Sequence, residues 1–278
     1  MNHTAITAPT QFVVAGDTTF AYRTWGREGT RPVVFLNHLA ANLDNWDPRG
    51  MDLIAAERTV ITVDNRGVGA SSGSVPKTIE GMADDAAAFI QVVSSSPVDL
   101  VGLSMGGMVA QVLVLRHPEL VNKLVLVGTG PRGGAGIDKV TATTFLSIMK
   151  AFFTRSDPKE FIFFGRNTTG KAAARAFIAR LATRTVDTDA PVSVPAFRAQ
   201  LTAIRAFAKS APQALGNITQ PTLVINGDND IMVPTPLSYV LAENIDGAEL
   251  EIYPDSGHGS LFQFPELFTR RVLDFLTQ

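Results

Sequence analysis

The sequence contains no cysteine, which excludes disulfides, thiolate metal sites and a cysteine nucleophile. Excess charge of either sign is also missing. Lys and Arg total 24 against 26 Asp and Glu, a net charge of −2, and neither sign gathers into a block. Nucleic acid and anionic membranes are therefore not the expected partners. No apolar run is long enough to span a bilayer. The opening residues, MNHTAITAPTQFVVAG, have neither the basic region nor the apolar stretch of a secretion signal. The lack of a signal and of a membrane span predicts a soluble, cytoplasmic protein. No motif asks for a metal or a cofactor.

The chain has 278 residues, of which 45% are apolar and 18% charged, a globular composition long enough for a large core without metal or disulfide support. Short runs rich in Val, Ile and Leu recur at 32–36, 59–63, 98–103, 123–127 and 222–225, with a last one at 249–253. Continuous apolar runs suit a parallel sheet covered on both faces. An earlier pair at 11–15 and 18–22, joined by Gly16 and Asp17, predicts an antiparallel hairpin. Between the strands, 79–93, 105–116 and 261–276 carry helical apolar spacing. The expected architecture is α/β: a mostly parallel eight-stranded sheet with helices on both faces.

From 131 to 216 the alternation stops. Helical segments containing Phe145, Met149, Phe152, Phe177, Leu181, Phe197 and Phe207 replace it. The expected organisation is one compact domain, with a core of 1–130 and 217–278 and a helical cap of 131–216 inserted after the sixth strand. An insertion at the carboxyl end of a strand borders the crevice where open α/β sheets bind ligands. Phe145, early in this stretch, is a candidate pocket residue, with a place in the ordinary core as the alternative.

The strongest chemical signal is Gly102-Leu103-Ser104-Met105-Gly106-Gly107, between the strand at 98–103 and the helix from 105. GxSxG in a strand–turn–helix context presents a strained serine at the top of a sheet. A serine hydroxyl is a weak nucleophile unless a base removes its proton. His258, between the last strand and the last helix, is the candidate base, and Asp230 in Gly227-Asp228-Asn229-Asp230 is the candidate acid. Asp228 is better suited to shaping the turn. The tetrahedral oxyanion needs two donors, for which the N–H groups of Met105 and Leu39 are the candidates.

These motifs, in this order, resemble the α/β-hydrolase superfamily across nearly the whole chain. Asp64-Asn65-Arg66-Gly67-Val68-Gly69-Ala70-Ser71 is similar to its DxRGxGxS segment, and His117-Pro118-Glu119-Leu120-Val121 to its approach to the sixth strand. Asn37-His38-Leu39-Ala40 departs from the family's usual His-Gly pair and resembles the Asn-Ser-Leu-Gly of 3-oxoadipate enol-lactonases. His38 is a candidate substrate contact, or else a histidine bonded to loop backbone. The resemblance implies hydrolysis of a small carboxylic ester or lactone through a serine acyl-enzyme. Cofactor-free haloperoxidases or perhydrolases, carbon–carbon bond hydrolases, acyltransferases and a non-catalytic binder are the alternatives. Dehalogenases and epoxide hydrolases carry aspartate at the place of Ser104 and are disfavoured.

Overall fold

In the computed structural model, which describes residues 3–278, eight strands make one sheet. They are β1 (Gln11–Ala15), β2 (Thr18–Gly26), β3 (Val33–Leu36), β4 (Thr59–Val63), β5 (Val98–Leu103), β6 (Val121–Val127), β7 (Thr222–Gly227) and β8 (Glu249–Tyr253). Their order across the sheet is β1-β2-β4-β3-β5-β6-β7-β8. β1 and β2 form an antiparallel hairpin over a two-residue turn in which Gly16 takes φ +60°. β2 runs antiparallel to β4, and every later pairing is parallel. The expected sheet is thus present.

Because successive strand side chains point to opposite faces, each central strand feeds two cores. Val34, Leu36, Leu100, Leu124, Leu126 and Val224 join one apolar cluster. Val33, Phe35, Val101, Leu103, Val125, Val127, Leu223 and Ile225 join the other. Ten helices cover these faces among the described residues: α1 (Pro48–Ala55), α2 (Ile79–Val93), α3 (Met105–Arg116), α4 (Val140–Thr154), α5 (Pro158–Phe163), α6 (Thr168–Leu181), α7 (Val194–Lys209), α8 (Pro236–Asn244), α9 (Ser260–Gln263) and α10 (Pro265–Thr277). α2 and α3 pack into the first cluster, α1 and α10 into the second.

The helices α4 to α7 lie between β6 and β7 in the chain and contain no strand. Asp157, Asn167 and Ser193 cap α5, α6 and α7 by accepting bonds from backbone N–H groups of the first turn. Two helices, α1 and α8, escape the periodicity of the sequence because each spans about two turns. The C-terminal helix is broken at Phe264, since Pro265 cannot donate into a continuous ladder.

The segment after β4 anchors the crevice from below. Asp64 is fully buried and accepts bonds from the N–H groups of Leu43 (3.0 Å) and Ala70 (3.3 Å). Ser71 donates to the Asp64 carbonyl (2.9 Å) and accepts from Ala21 N–H (2.9 Å), tying the loop to β2. Asp189, from the α6–α7 connection, meets Asp64 beside Gly69, where the two carboxyl groups fill the place a Cβ would take. Burial and the Asp189 carboxyl push Asp64 up to about 9.

A carboxyl that keeps its proton in the fold, and loses it near pH 4 when unfolded, makes the native state bind more protons over that interval. Its contribution to stability is therefore present at acid pH and is lost as pH rises toward about 9. Asp64→Asn, which fixes the neutral state, is expected to gain stability relative to wild type between pH 5 and pH 8. Urea unfolding of both proteins across that range measures it, and a constant difference would contradict the buried-proton assignment.

Candidate active site

β5 turns into α3 at a single residue. Ser104 has φ +55° and ψ −113°, outside the regions open to an L-residue without cost. The surroundings leave no alternative. A Cβ on Gly102 would lie 2.5 Å from the Gly106 carbonyl, and one on Gly106 would collide with the Leu36 carbonyl. Ser104 N–H donates to Val127 O at 2.8 Å, which pins the turn to β6.

His258 and Asp230 come from the loops after β8 and β7. Gly227 passes so close to Ser256 and Gly257 that no side chain fits, so the two loops touch. His258 Nδ1 lies 2.7 Å from Asp230 Oδ2, both side chains being buried. The carboxylate's second oxygen accepts bonds from Met232 N–H (2.7 Å) and Val233 N–H (2.9 Å). A carboxylate can only accept here, so Nδ1 carries the proton and Nε2 presents a lone pair. Asp228 is exposed and instead accepts from Ser256 N–H (3.1 Å) and the Asn229 side chain (2.7 Å).

Ser104 and His258 open on one cavity of about 290 Å³. Its remaining wall is mostly apolar and comes largely from the inserted helices, through Val140, Thr144, Ile148, Ile162, Phe163 and Phe197, with Met232 from the loop after β7; Asp157, Pro158 and Lys159 also line it. Phe163 stacks on the His258 ring, 6.0 Å between centroids and 7° between planes. Such a pocket favours an apolar group beside a serine hydroxyl and an imidazole–carboxylate pair, the components of acyl transfer.

The loop after β3 borders the same cavity through His38, Leu39 and Ala40. Asn37 holds its base: Nδ2 donates to Val63 O (2.9 Å), and Oδ1 accepts from Trp46 Nε1 (2.6 Å). Ala40, at φ +60°, donates its N–H to Gln200 Oε1 of α7 (2.9 Å). Among the described residues, the N–H groups of Leu39 and Met105 donate to no protein acceptor. Met105 is the first residue of α3, whose leading amides have no partner within the helix.

His38 donates from Nδ1 to Leu39 O at 2.8 Å and packs edge-on against Phe163. Burial drives it down to about 3, so it is neutral. Its bond to loop backbone is the second of the two alternatives read from the sequence, and its ring also borders the cavity. His117, at the end of α3, lies near Asp84 and Glu119, away from this cavity.

Phe145 requires a correction. It is 61% exposed and belongs neither to the cavity wall nor to the core. The reason is the orientation of α4, which buries Val140, Thr144, Ser147 and Ala151 and turns Phe145 outward. The aromatic wall of the cavity comes instead from Phe163 and Phe197. Sequence reasoning passed over Phe163 because it sits in a six-residue helix, too short to display a period.

A family model described as alpha/beta hydrolase fold matches residues 31–265. A solved structure, an alpha/beta hydrolase fold protein from Chitinophaga pinensis, superposes with a TM-score of 0.92 and 35% identity, covering 99% of each chain. The Mycobacterium tuberculosis protein BpoC, provisionally named a non-heme bromoperoxidase, is 30% identical over 88% of this chain and 93% of its own. A 2-hydroxy-6-oxononadienedioate/2-hydroxy-6-oxononatrienedioate hydrolase from Klebsiella pneumoniae is 30% identical over 90% of this chain and 88% of its own.

The contrasting burial of two phenylalanines makes a stability test. Phe163→Ala, which empties a buried site beside His258, is expected to cost about 3–5 kcal/mol. Phe145→Ala should change stability by less than about 0.5 kcal/mol. Denaturant unfolding of both variants beside wild type checks the contrast.

Proposed function

The chain belongs to the α/β-hydrolase fold family, and on that premise we propose that it hydrolyses a small carboxylic ester or lactone through an acyl-enzyme on Ser104. The observation that carries this reading is the 2.7 Å His258–Asp230 pair opening with strained Ser104 on one apolar cavity.

In this mechanism His258 Nε2 takes the Ser104 proton as Oγ attacks the ester carbonyl. Asp230 holds Nδ1–H and stabilises the imidazolium that forms. The N–H groups of Met105 and Leu39 receive the oxyanion, supported by their freedom from protein acceptors and by the positive end of α3. The imidazolium then returns its proton to the leaving oxygen. Water, deprotonated by the same imidazole, attacks the acyl-enzyme, and the imidazolium passes that proton to Ser104 Oγ as its bond to the acyl carbon breaks and the acid is released.

Residues 131–216 act as a cap in this reading, because α4, α5 and α7 supply most of the cavity wall while the acting groups sit on sheet loops. His38 is a wall residue on the substrate side. It stays uncharged across neutral pH and so does not oppose the imidazolium. The bromoperoxidase name of one relative favours a second reading, in which hydrogen peroxide replaces water at the acyl-enzyme and yields a peracid.

Wild type is expected to react with a serine-directed fluorophosphonate and to turn over small activated esters. Ser104→Ala should abolish labelling and lower kcat roughly 10⁴- to 10⁶-fold while remaining folded. Mass spectrometry of the labelled peptide checks the nucleophile, and label retained by Ser104→Ala would remove it from that role. Asp230→Asn should lower kcat by about 10⁴-fold, whereas Asp228→Asn stays near wild type. The reverse order would exchange the two acids. Perester or peracid formation in peroxide, exceeding ester hydrolysis, would select the second reading.

A further inference from the structure

The helix α4 is built inside out. Its buried residues are Val140, Thr144, Ser147 and Ala151, all small or polar, whereas its exposed face carries Phe145, Leu146, Ile148, Met149, Phe152 and Phe153. With 100° between successive residues, these six form one stripe roughly 160° wide. The only charged side chain within α4 is Lys150, which lies over the Phe161 ring at 4.5 Å.

Phe152 and Phe153 are each 76% exposed, and their rings meet edge to face at 5.6 Å. Taking about 200 Å² per ring, the three exposed phenylalanines alone leave on the order of 400 Å² of apolar surface in water. That already matches the largest patch of a typical monomer, and Leu146, Ile148 and Met149 extend it. The total approaches the roughly 800 Å² that each partner contributes to a stable protein pair.

We propose that α4 is the face through which two copies of this chain pair, helix against helix across a two-fold axis. A stripe that is apolar along its whole length is its own complement, so one patch per copy completes the interface. The near-zero charge of −2 gives the copies little mutual repulsion. It also supplies no attraction to an anionic bilayer, and a membrane-lying helix is rich in cationic residues on its polar face, whereas α4 has one, Lys150, beside Thr144 and Ser147. Ile148 belongs both to the exposed stripe and to the wall of the Ser104 cavity. The second copy therefore stands at the margin of that cavity.

Sedimentation equilibrium of the full chain at micromolar concentrations should give twice the single-chain mass. Phe152→Asp/Phe153→Asp should raise the dimer dissociation constant at least about a hundredfold, since pairing would bury four unpaired carboxylates, and should keep the wild-type circular dichroism spectrum. If that variant fails to fold, crosslinking decides. The chain has no cysteine, so Met149→Cys should form a disulfide-linked dimer under mild oxidation, while Val14→Cys, the more exposed position on β1, should not. A wild-type chain of single-chain mass overturns the proposal, as does one that is monomeric and sediments with phosphatidylcholine vesicles. A dimer unaffected by the aspartate pair and not crosslinked through Met149→Cys overturns it equally.

Discussion

The turn at Ser104 is the constraint on which the rest of the site depends. β5 must become α3 within one residue, and a serine at φ +55° holds that reversal only because its neighbours leave no other path. Strain of this kind costs on the order of 1–3 kcal/mol and persists where packing over-determines it. Here Gly102 and Gly106 let the backbones close, and the Ser104–Val127 bond fastens the turn to the next strand. The same reversal points the hydroxyl away from the sheet and leaves the first amide of α3 unpaired. The position of the serine and the unpaired amide are thus two results of one backbone event.

The surrounding charges are arranged by burial. Asp230 is enclosed, but two backbone N–H groups and the imidazole satisfy its oxygens, so a carboxylate can exist there at acceptable cost. His38 has no acidic partner and is driven neutral. Asp64, facing Asp189 across the interface between core and inserted helices, is driven the other way and retains its proton. His38 and Asp64 are thus both neutral beside one crevice, because burial penalises the charged form of each.

The inserted helices follow a different logic from the sheet. Their contribution to the cavity is apolar area and shape, delivered by Phe163 and Phe197, and their outer surface is more apolar along α4 than its inner one. A helix lying over a cavity has no deep core to fill, so small residues such as Ser147 and Ala151 seat it closely while large ones face away.

How much of this was legible in the sequence follows from the range of the interactions involved. Strand runs, the Gly16 turn and the helices at 79–93 and 105–116 depend on local periodicity and turn chemistry, so they could be read directly. The GxSxG turn was equally legible, because its glycines answer to steric demands within six residues. α1, α5 and α8 were not, since helices of six to nine residues show too little of a period. In the acid loop, Asp228 and Asp230 stand two residues apart, and their hydrogen bonds differ through the meeting of the β7 and β8 loops beside Gly227. The misreading of Phe145 has the same origin. Its spacing establishes that it lies on one stripe of a helix, but which stripe faces the cavity is decided by how α4 docks on α5. By itself, the sequence determined the sheet, the strained serine turn and the chain order of Ser104, Asp230 and His258. Only the tertiary structure decided the charge states and the cavity wall, because both are set by burial among residues distant in the chain.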